Sequence, residues 1–152
     1  VPMLVGAIYY GPIFGNAWMR VNGFTKESME GGNMAIIMGL SYLLSVVLAF
    51  GLAPMVIHQL PIDQLFGMHP DVSTAGTQVG DLMATIKNDF GTMHRSFGHG
   101  ALHGGVTAVF VALPLIAINA LFERRGGKYI GIHFGYWFIT LMLMGGVLCQ
   151  WY

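Results

Sequence analysis

Apolar residues run almost without interruption along three stretches of the chain. These are Met34 to Ile57, Ala101 to Phe122 and Tyr129 to Tyr152, and none of them contains Asp, Glu, Lys or Arg. A helix rises about 1.5 Å per residue, so roughly 20 residues cross a hydrocarbon core of about 30 Å. A helix of that length in water would carry a charged face. The pattern therefore predicts membrane-spanning helices.

A fourth apolar stretch opens the chain and ends near Trp18. Its Tyr9-Tyr10 pair precedes Gly11-Pro12, a dipeptide that breaks or kinks a helix. Tyr and Trp are enriched at the membrane–water boundary, so this end is expected at the interface. We interpret the stretch as a transmembrane helix whose first turns are missing from this sequence. The predicted fold is all-α: a polytopic, single domain over 1–152, with four spans at about 1–18, 34–58, 101–122 and 129–152.

The long polar connection between the second and third spans divides into two parts. The first, 59–77, carries Pro61 and Pro70 and is interpreted as an irregular loop. In the second, about 79–97, apolar residues recur every three or four positions, which predicts an amphipathic helix. Such a helix either lies flat in the membrane interface or packs under an extracytoplasmic loop.

Two sets of small residues are predicted to pack helices together. Lipid provides no hydrophobic driving force between helices, so close contact over small side chains has to supply much of the association. One set recurs at intervals of four and the other has the Gly-x-x-x-Gly spacing. The predicted packing residues are Ser41, Ser45, Ala49 and Ala53 in the second span and Gly131 and Gly135 in the fourth.

The basic residues predict the orientation. The two short loops hold Arg20, Lys26, Arg124, Arg125 and Lys128, which are five of the seven basic residues. Short basic loops stay in the cytoplasm. Both termini and the 59–100 loop are therefore expected on the extracytoplasmic side. The formal net charge of +0 gives no reason to expect a nucleic-acid partner.

Histidine is unusually frequent for such an apolar chain. Of the six, His94, His99 and His103 fall close together before and inside the third span. His99 and His103 are four apart, so they share one face if the helix has begun. Imidazole suits zinc, copper, iron and nickel, and Asp81 or Asp89 could complete a ligand shell. In the alternative, His103 only hydrogen-bonds across the bundle.

Two further polar residues, Asn119 and His133, lie near the cytoplasmic ends of the third and fourth spans. Polar side chains in lipid usually face the bundle interior, so a structural hydrogen bond between them is the first interpretation and a transport site the second. We identify no nucleophile with a base, no phosphate-binding glycine loop and no paired intramembrane carboxylates in the sequence. No catalytic residue is assigned, and an enzyme is not expected.

The chain resembles a family of small bacterial membrane proteins catalogued only as a domain of unknown function. The resemblance rests on the segments 10–19, 100–104, 119–125, 135–137 and 144–146, which read YGPIFGNAWM, GALHG, NALFERR, GYW and MGG. It covers nearly the whole chain apart from 59–92. It implies a four-helix protein of the bacterial inner membrane, and it carries no assigned activity or catalytic residues.

These observations lead to an expected function. The first hypothesis is a non-enzymatic accessory or structural subunit that contacts the lipid bilayer and either other membrane proteins or further copies of itself. The alternative is a small-solute or metal-ion carrier that uses the outer histidines, with a metal ion as the only cofactor considered. An enzyme acting on lipid is the third and weakest hypothesis, because the chain offers neither a nucleophile nor a metal triad for it.

Overall fold

A computed structural model describes residues 1–30 and 32–152, and within these ranges the regular elements are all helical. The α-helices are α1 Pro2–Ile8, α2 Gly15–Asn22, α3 Met34–Val56, α4 Gln59–Phe66, α5 Gln78–Phe90, α6 Phe97–Thr107, α7 Leu113–Phe122 and α8 Gly127–Trp151. Short π-helical segments over Tyr9–Ile13 and Ala108–Ala112, and a 3₁₀ turn over Glu27–Met29, complete the set. The all-α prediction is confirmed.

Three helices in the described residues are long and apolar enough to cross a membrane. They are Met34–Val56, Phe97–Phe122 and Gly127–Trp151, of 23, 26 and 25 residues. The second of them joins α6 to α7 through the π-helical turn before Pro114. Proline has no N–H to donate, and local π geometry is one way in which a membrane helix accommodates the carbonyl left free.

The prediction of a fourth continuous span over 1–18 is not confirmed. The segment folds instead as α1 and α2, separated by the π-helical turn at Gly11-Pro12. Gly11 has non-helical angles, φ −93° and ψ −105°, and Pro12 lacks a hydrogen-bond donor. Helix α1 packs along α8, where the Tyr136 hydroxyl donates to the Pro2 carbonyl at 3.1 Å. The kink expected at Gly-Pro is therefore present, and it divides the segment into two short helices.

The connection at 59–100 is more helical than its sequence suggested. Residues 59–66 were interpreted as loop but form α4, because Pro61 occupies the first helical turn, where a missing N–H costs no hydrogen bond. Helix α5 is capped by Thr77, whose hydroxyl accepts from the Gly80 N–H at 3.1 Å, and it ends at Phe90 rather than 97. Whether α5 lies in a membrane interface stays a prediction.

The third span begins earlier than expected. Ser96 caps α6 by accepting a hydrogen bond from the His99 N–H at 3.3 Å, so the helix starts at Phe97 instead of 101. This boundary matters for the site, because it places His99 inside the first turn of a helix.

The closest helix pair is α6 with α8. A Cβ atom added to Gly100 would collide with the Gly145 carbonyl oxygen, and one added to Gly104 would collide with that of Leu141. The two backbones are therefore in direct contact at this crossing. The main buried cluster surrounds it, at the end where α3 and α8 finish; its members are Leu52, Val56, Ile57, Ala108, Leu141, Met144 and Cys149.

The predicted packing residues lie elsewhere. Ala49 and Ala53 contact the edge of the buried cluster, and with Ser45 they line a lateral groove of about 980 Å³ between α1, α3 and α8. The Ser45 hydroxyl donates to the Ser41 carbonyl at 2.7 Å, within the same helix.

The two predicted glycines of α8 differ from one another. Gly135 lies against the Tyr9 hydroxyl, so it does sit at a contact with the first segment. Gly131 is exposed and has open space where a side chain would be. Only one end of this Gly-x-x-x-Gly pair therefore contacts another helix of the chain.

The two basic loops meet at the same end of the bundle. Nη1 of Arg125 donates to the Val21 carbonyl at 3.3 Å, and its Nε lies 3.7 Å from Oε2 of Glu123. At the opposite end, the Arg95 guanidinium donates to the Cys149 carbonyl at 3.4 Å and covers the Tyr152 ring. Which of these ends faces the cytoplasm stays a prediction from the charge pattern.

Candidate metal centre

Three histidines, one from the turn after α3 and two from α6, converge where α3 ends and α6 begins. His58 follows the last turn of α3, next to the buried Val56 and Ile57. His99 and His103 lie one helical turn apart on α6. Each of the three offers one ring nitrogen, and these nitrogens all lie within 4.8 Å of one another.

The packing of α6 determines which way these rings face. Gly100 and Gly104 have no side chains and seat the helix against α8. His99 directly precedes Gly100, and His103 directly precedes Gly104. Both histidines are half-buried, on the side of α6 that meets the end of α3. The bare glycine surface thus holds α6 in the rotation that brings its two imidazoles to His58.

The three rings are within hydrogen-bonding and van der Waals distance. Nε2 of His58 and Nε2 of His99 are 2.8 Å apart. The His103 ring centroid lies 4.8 Å from that of His58 and 4.6 Å from that of His99. In the hydrogen-bonded pair one imidazole supplies the N–H and the other a lone pair. The arrangement is therefore compatible with neutral rings whose lone pairs point into a shared space.

A tetrahedral metal ion fits this donor set after small side-chain movements. Zinc–nitrogen bonds of about 2.0–2.1 Å require ligand nitrogens about 3.4 Å apart. The His58–His99 separation of 2.8 Å is shorter than this, and the upper limit of 4.8 Å within the group is longer. Rotations that move each ring by about 1 Å would equalise the distances. An all-imidazole shell suits zinc, copper, nickel and cobalt.

The electrostatic environment favours neutral imidazole at His58. Partial burial of the ring lowers the pKa of His58 from its ordinary value, and the neighbouring His103 and His94 lower the pKa further. A positive charge on one ring would repel a proton on the next. The lone pair that His58 would offer to a metal is therefore available near neutral pH.

The sequence candidates are only partly brought together. His99 and His103 do meet, but their third partner is His58, which was not among the predicted ligands. His94 stacks on His99, with centroids 4.8 Å apart and planes at 17°, outside the group of three. The signal for His58 was its place directly after the second apolar run.

His69 and the predicted ligand Asp81 have local roles. Nδ1 of His69 accepts a hydrogen bond from the Asp71 N–H at 3.2 Å, within its own turn. The Asp81 carboxylate accepts from the Gly76 N–H at 2.9 Å near the start of α5. Neither Asp81 nor Asp89 belongs to the group of three histidines, so the candidate shell contains imidazole alone.

A second polar contact lies toward the other end of α8. Nδ1 of His133 is 3.3 Å from the Tyr10 hydroxyl, among the rings of Tyr129 and Tyr136. Nε2 of His133 is buried and has no hydrogen-bond partner among the described residues. Asn119, the expected partner, is exposed on α7. The polar contact of His133 is therefore with the first segment rather than with the third span.

Comparison with known proteins gives one match. A family model described as "Protein of unknown function (DUF1761)" matches residues 1–149. No curated protein and no solved structure matches the chain.

Proposed function

This chain belongs to the family of unknown function DUF1761, and we propose that it is a small membrane protein that binds one first-row transition-metal ion through His58, His99 and His103. The observation that carries the proposal is the convergence of three imidazole nitrogens, from the turn after α3 and from α6, within 4.8 Å of one another. The prediction that it is not an enzyme is retained as part of this proposal.

The alternative, a purely structural histidine cluster, explains less of the geometry. Structural histidines usually donate to a carbonyl or carboxylate that fixes the ring. Here the side-chain partner of His58 in the described residues is another imidazole, that of His99. The three rings meet edge to face or tilted, and their candidate ligand nitrogens all lie within 4.8 Å of one another. A cation would satisfy all three lone pairs at once.

The donor set also limits the choice of metal. Neutral imidazoles without thiolate favour Cu²⁺, Zn²⁺, Ni²⁺ and Co²⁺ over Mg²⁺ or Ca²⁺, which prefer oxygen ligands. Cys149 does not extend the set toward copper(I), because its buried thiol donates to the His94 carbonyl at 3.4 Å. The expected order of affinity is Cu²⁺ above Zn²⁺ and Zn²⁺ above Mg²⁺.

Isothermal titration of the purified full chain in detergent, stripped with a chelator and titrated with Zn²⁺, tests the proposal. We expect one ion per chain, and about a 100-fold loss of affinity or more in His99→Gln or His103→Gln. Residues that only hydrogen-bond to a metal ligand already contribute roughly 10- to 100-fold to metal affinity, so loss of a ligand should cost at least that much. His69→Gln is the matched control and should bind as the parent does. Absence of zinc binding, or equal affinity in all variants, would overturn the proposal.

A further inference from the structure

His94 has an unusual backbone conformation in the turn between α5 and α6. Its φ is +62°, in the left-handed region that non-glycine residues adopt uncommonly. One local and one tertiary hydrogen bond hold it there: the His94 carbonyl accepts from the Ser96 N–H at 3.0 Å within the turn and from the Cys149 thiol of α8 at 3.4 Å. Histidine adopts this region more often than most residues, and the contact with α8 adds to that preference.

This backbone position places the His94 side chain beside the three-histidine group. Its ring is exposed and stacks on His99, and its centroid is 5.9 Å from that of His58, edge to face. Imidazole lone pairs lie in the ring plane, and two parallel stacked rings cannot both direct them at one ion. His94 is thus next to the candidate site, but its ring is turned away from it. Rotation about its side-chain bonds would direct a ring nitrogen at the ion.

We propose that metal binding recruits His94 as the fourth ligand, and that the ion thereby clamps the 91–96 turn to α3 and α6. The inference rests on the proposed function of the three-histidine group. A tetrahedral ion held by three ligands has one open position. His94 lies outside the group of three, and its ring already stacks on that of His99.

Metal binding would restrain more than the 91–96 turn, because α4 is hydrogen-bonded both to this turn and to the end of α5. The Gln59 side chain, one residue after His58, donates to the Phe90 and Met93 carbonyls, each at 3.0 Å. The Lys87–Asp63 ion pair between α5 and α4 is 3.9 Å long and exposed, so it adds little. A metal ion held by His58 and His94 would restrain the segments on both sides of the Gln59 hydrogen bonds.

X-ray absorption of the zinc-loaded full chain in detergent counts the imidazoles around the ion. We expect four in the parent and three in His94→Asn, together with an affinity reduced about tenfold or more. Asparagine tolerates the left-handed conformation, so the variant retains the turn while losing the ring. His94→Gly is a second variant, in which the turn is relaxed and the ring is also absent. Arg124→Asn, at the other positive-φ position (55°), is the control and should leave zinc binding unchanged.

Hydrogen exchange gives an independent readout of the clamp. Zinc should slow amide exchange across 91–96 in the parent and not in His94→Asn. Three imidazoles in the parent, with unchanged affinity and exchange in His94→Asn, would overturn this inference and leave the three-histidine site standing. A parent that binds no zinc would overturn both, so the two failures are distinguishable.

Discussion

At the scale of single residues, protons compete with the metal for the same nitrogen atoms. Partial burial and the neighbouring imidazoles lower the pKa of His58, so its neutral form persists below the usual imidazole pKa of about 6.5. Arg95, the nearby cation in the adjoining turn, is directed to the Cys149 carbonyl and the Tyr152 ring. A lower pH is therefore expected to weaken metal binding by protonating the histidines themselves.

We predict that zinc affinity is nearly constant between pH 7 and 8 and falls below about pH 6. Each ligand must be deprotonated to bind, so well below all the pKa values the affinity should approach a dependence of about 1000-fold per pH unit for three histidine ligands and about 10,000-fold for four. Zinc titrations at several pH values in one detergent measure this slope. An affinity that is independent of pH down to 5 would show that imidazole is not the ligand.

Glycines on the membrane helices differ in how closely another helix approaches them. Gly104 and Gly131 are both glycines on membrane helices, but only Gly104 faces another backbone. We predict that Gly104→Ala lowers the free energy of unfolding by about 1–3 kcal/mol through overpacking of α6 against α8. Gly131→Ala has open space and should be neutral or slightly stabilising. Thermal unfolding of the two variants in the same detergent makes the comparison; equal losses would contradict the described packing.

At the scale of elements, charge and hydropathy were sufficient to locate the long helices. Three charge-free runs correspond to Met34–Val56, Phe97–Phe122 and Gly127–Trp151, with boundary errors of a few residues. Those errors come from caps: Ser96 starts α6 before the apolar run begins. Helix α4 was missed because Pro61 was interpreted as a breaker, although a first-turn proline is compatible with a helix.

The site itself depended on long-range contacts that no local pattern contains. His58 and His99 are separated by 41 positions, and their meeting requires α3 and α6 to end and begin at the same level. The sequence identified His99 and His103 through their spacing of four. It did not reveal that Gly100 and Gly104 form the closest seam, although their Gly-x-x-x-Gly spacing is the same as that of Gly131 and Gly135.

The first segment gives a prediction at this scale as well. Tyr10 and His133 link the π-helical turn to α8 through the 3.3 Å contact. Tyr10→Phe should lower stability by about 1–3 kcal/mol, because Nδ1 of His133 is left without a partner as Nε2 already is. Tyr42→Phe, at an exposed tyrosine of α3, is the matched control and should change little. If Tyr10→Phe unfolds as the parent does, this contact has no structural role.

At the scale of the whole molecule, the ends of the bundle are chemically different. One carries the two basic loops joined by Arg125 and Val21, and the other carries the histidines and α5. The positive-inside pattern predicts the histidine end on the extracytoplasmic side. A single cysteine introduced at Lys87 in a Cys149→Ala background should react with a membrane-impermeant thiol reagent added to intact cells. Reaction only after lysis would reverse the orientation.

The role as an accessory subunit of a larger membrane assembly also remains a prediction of the whole molecule. Most of α3 is uncovered by the rest of the chain, and its exposed residues are apolar, as lipid or a neighbouring membrane protein would require. Gentle purification followed by mass spectrometry tests this role separately from metal binding. A chain that is always recovered alone, as a monomer, would argue against it.

The zinc content of two variants shows whether His58 is part of a metal site. His58 and His69 both lie beyond the end of α3, but only His58 belongs to the three-histidine group. The full-length parent, His58→Gln and His69→Gln are loaded with zinc, dialysed against the same weak chelator and measured by elemental analysis. We expect about one zinc per chain in the parent and in His69→Gln, and close to none in His58→Gln. Equal zinc in both variants, or none in the parent, would contradict it.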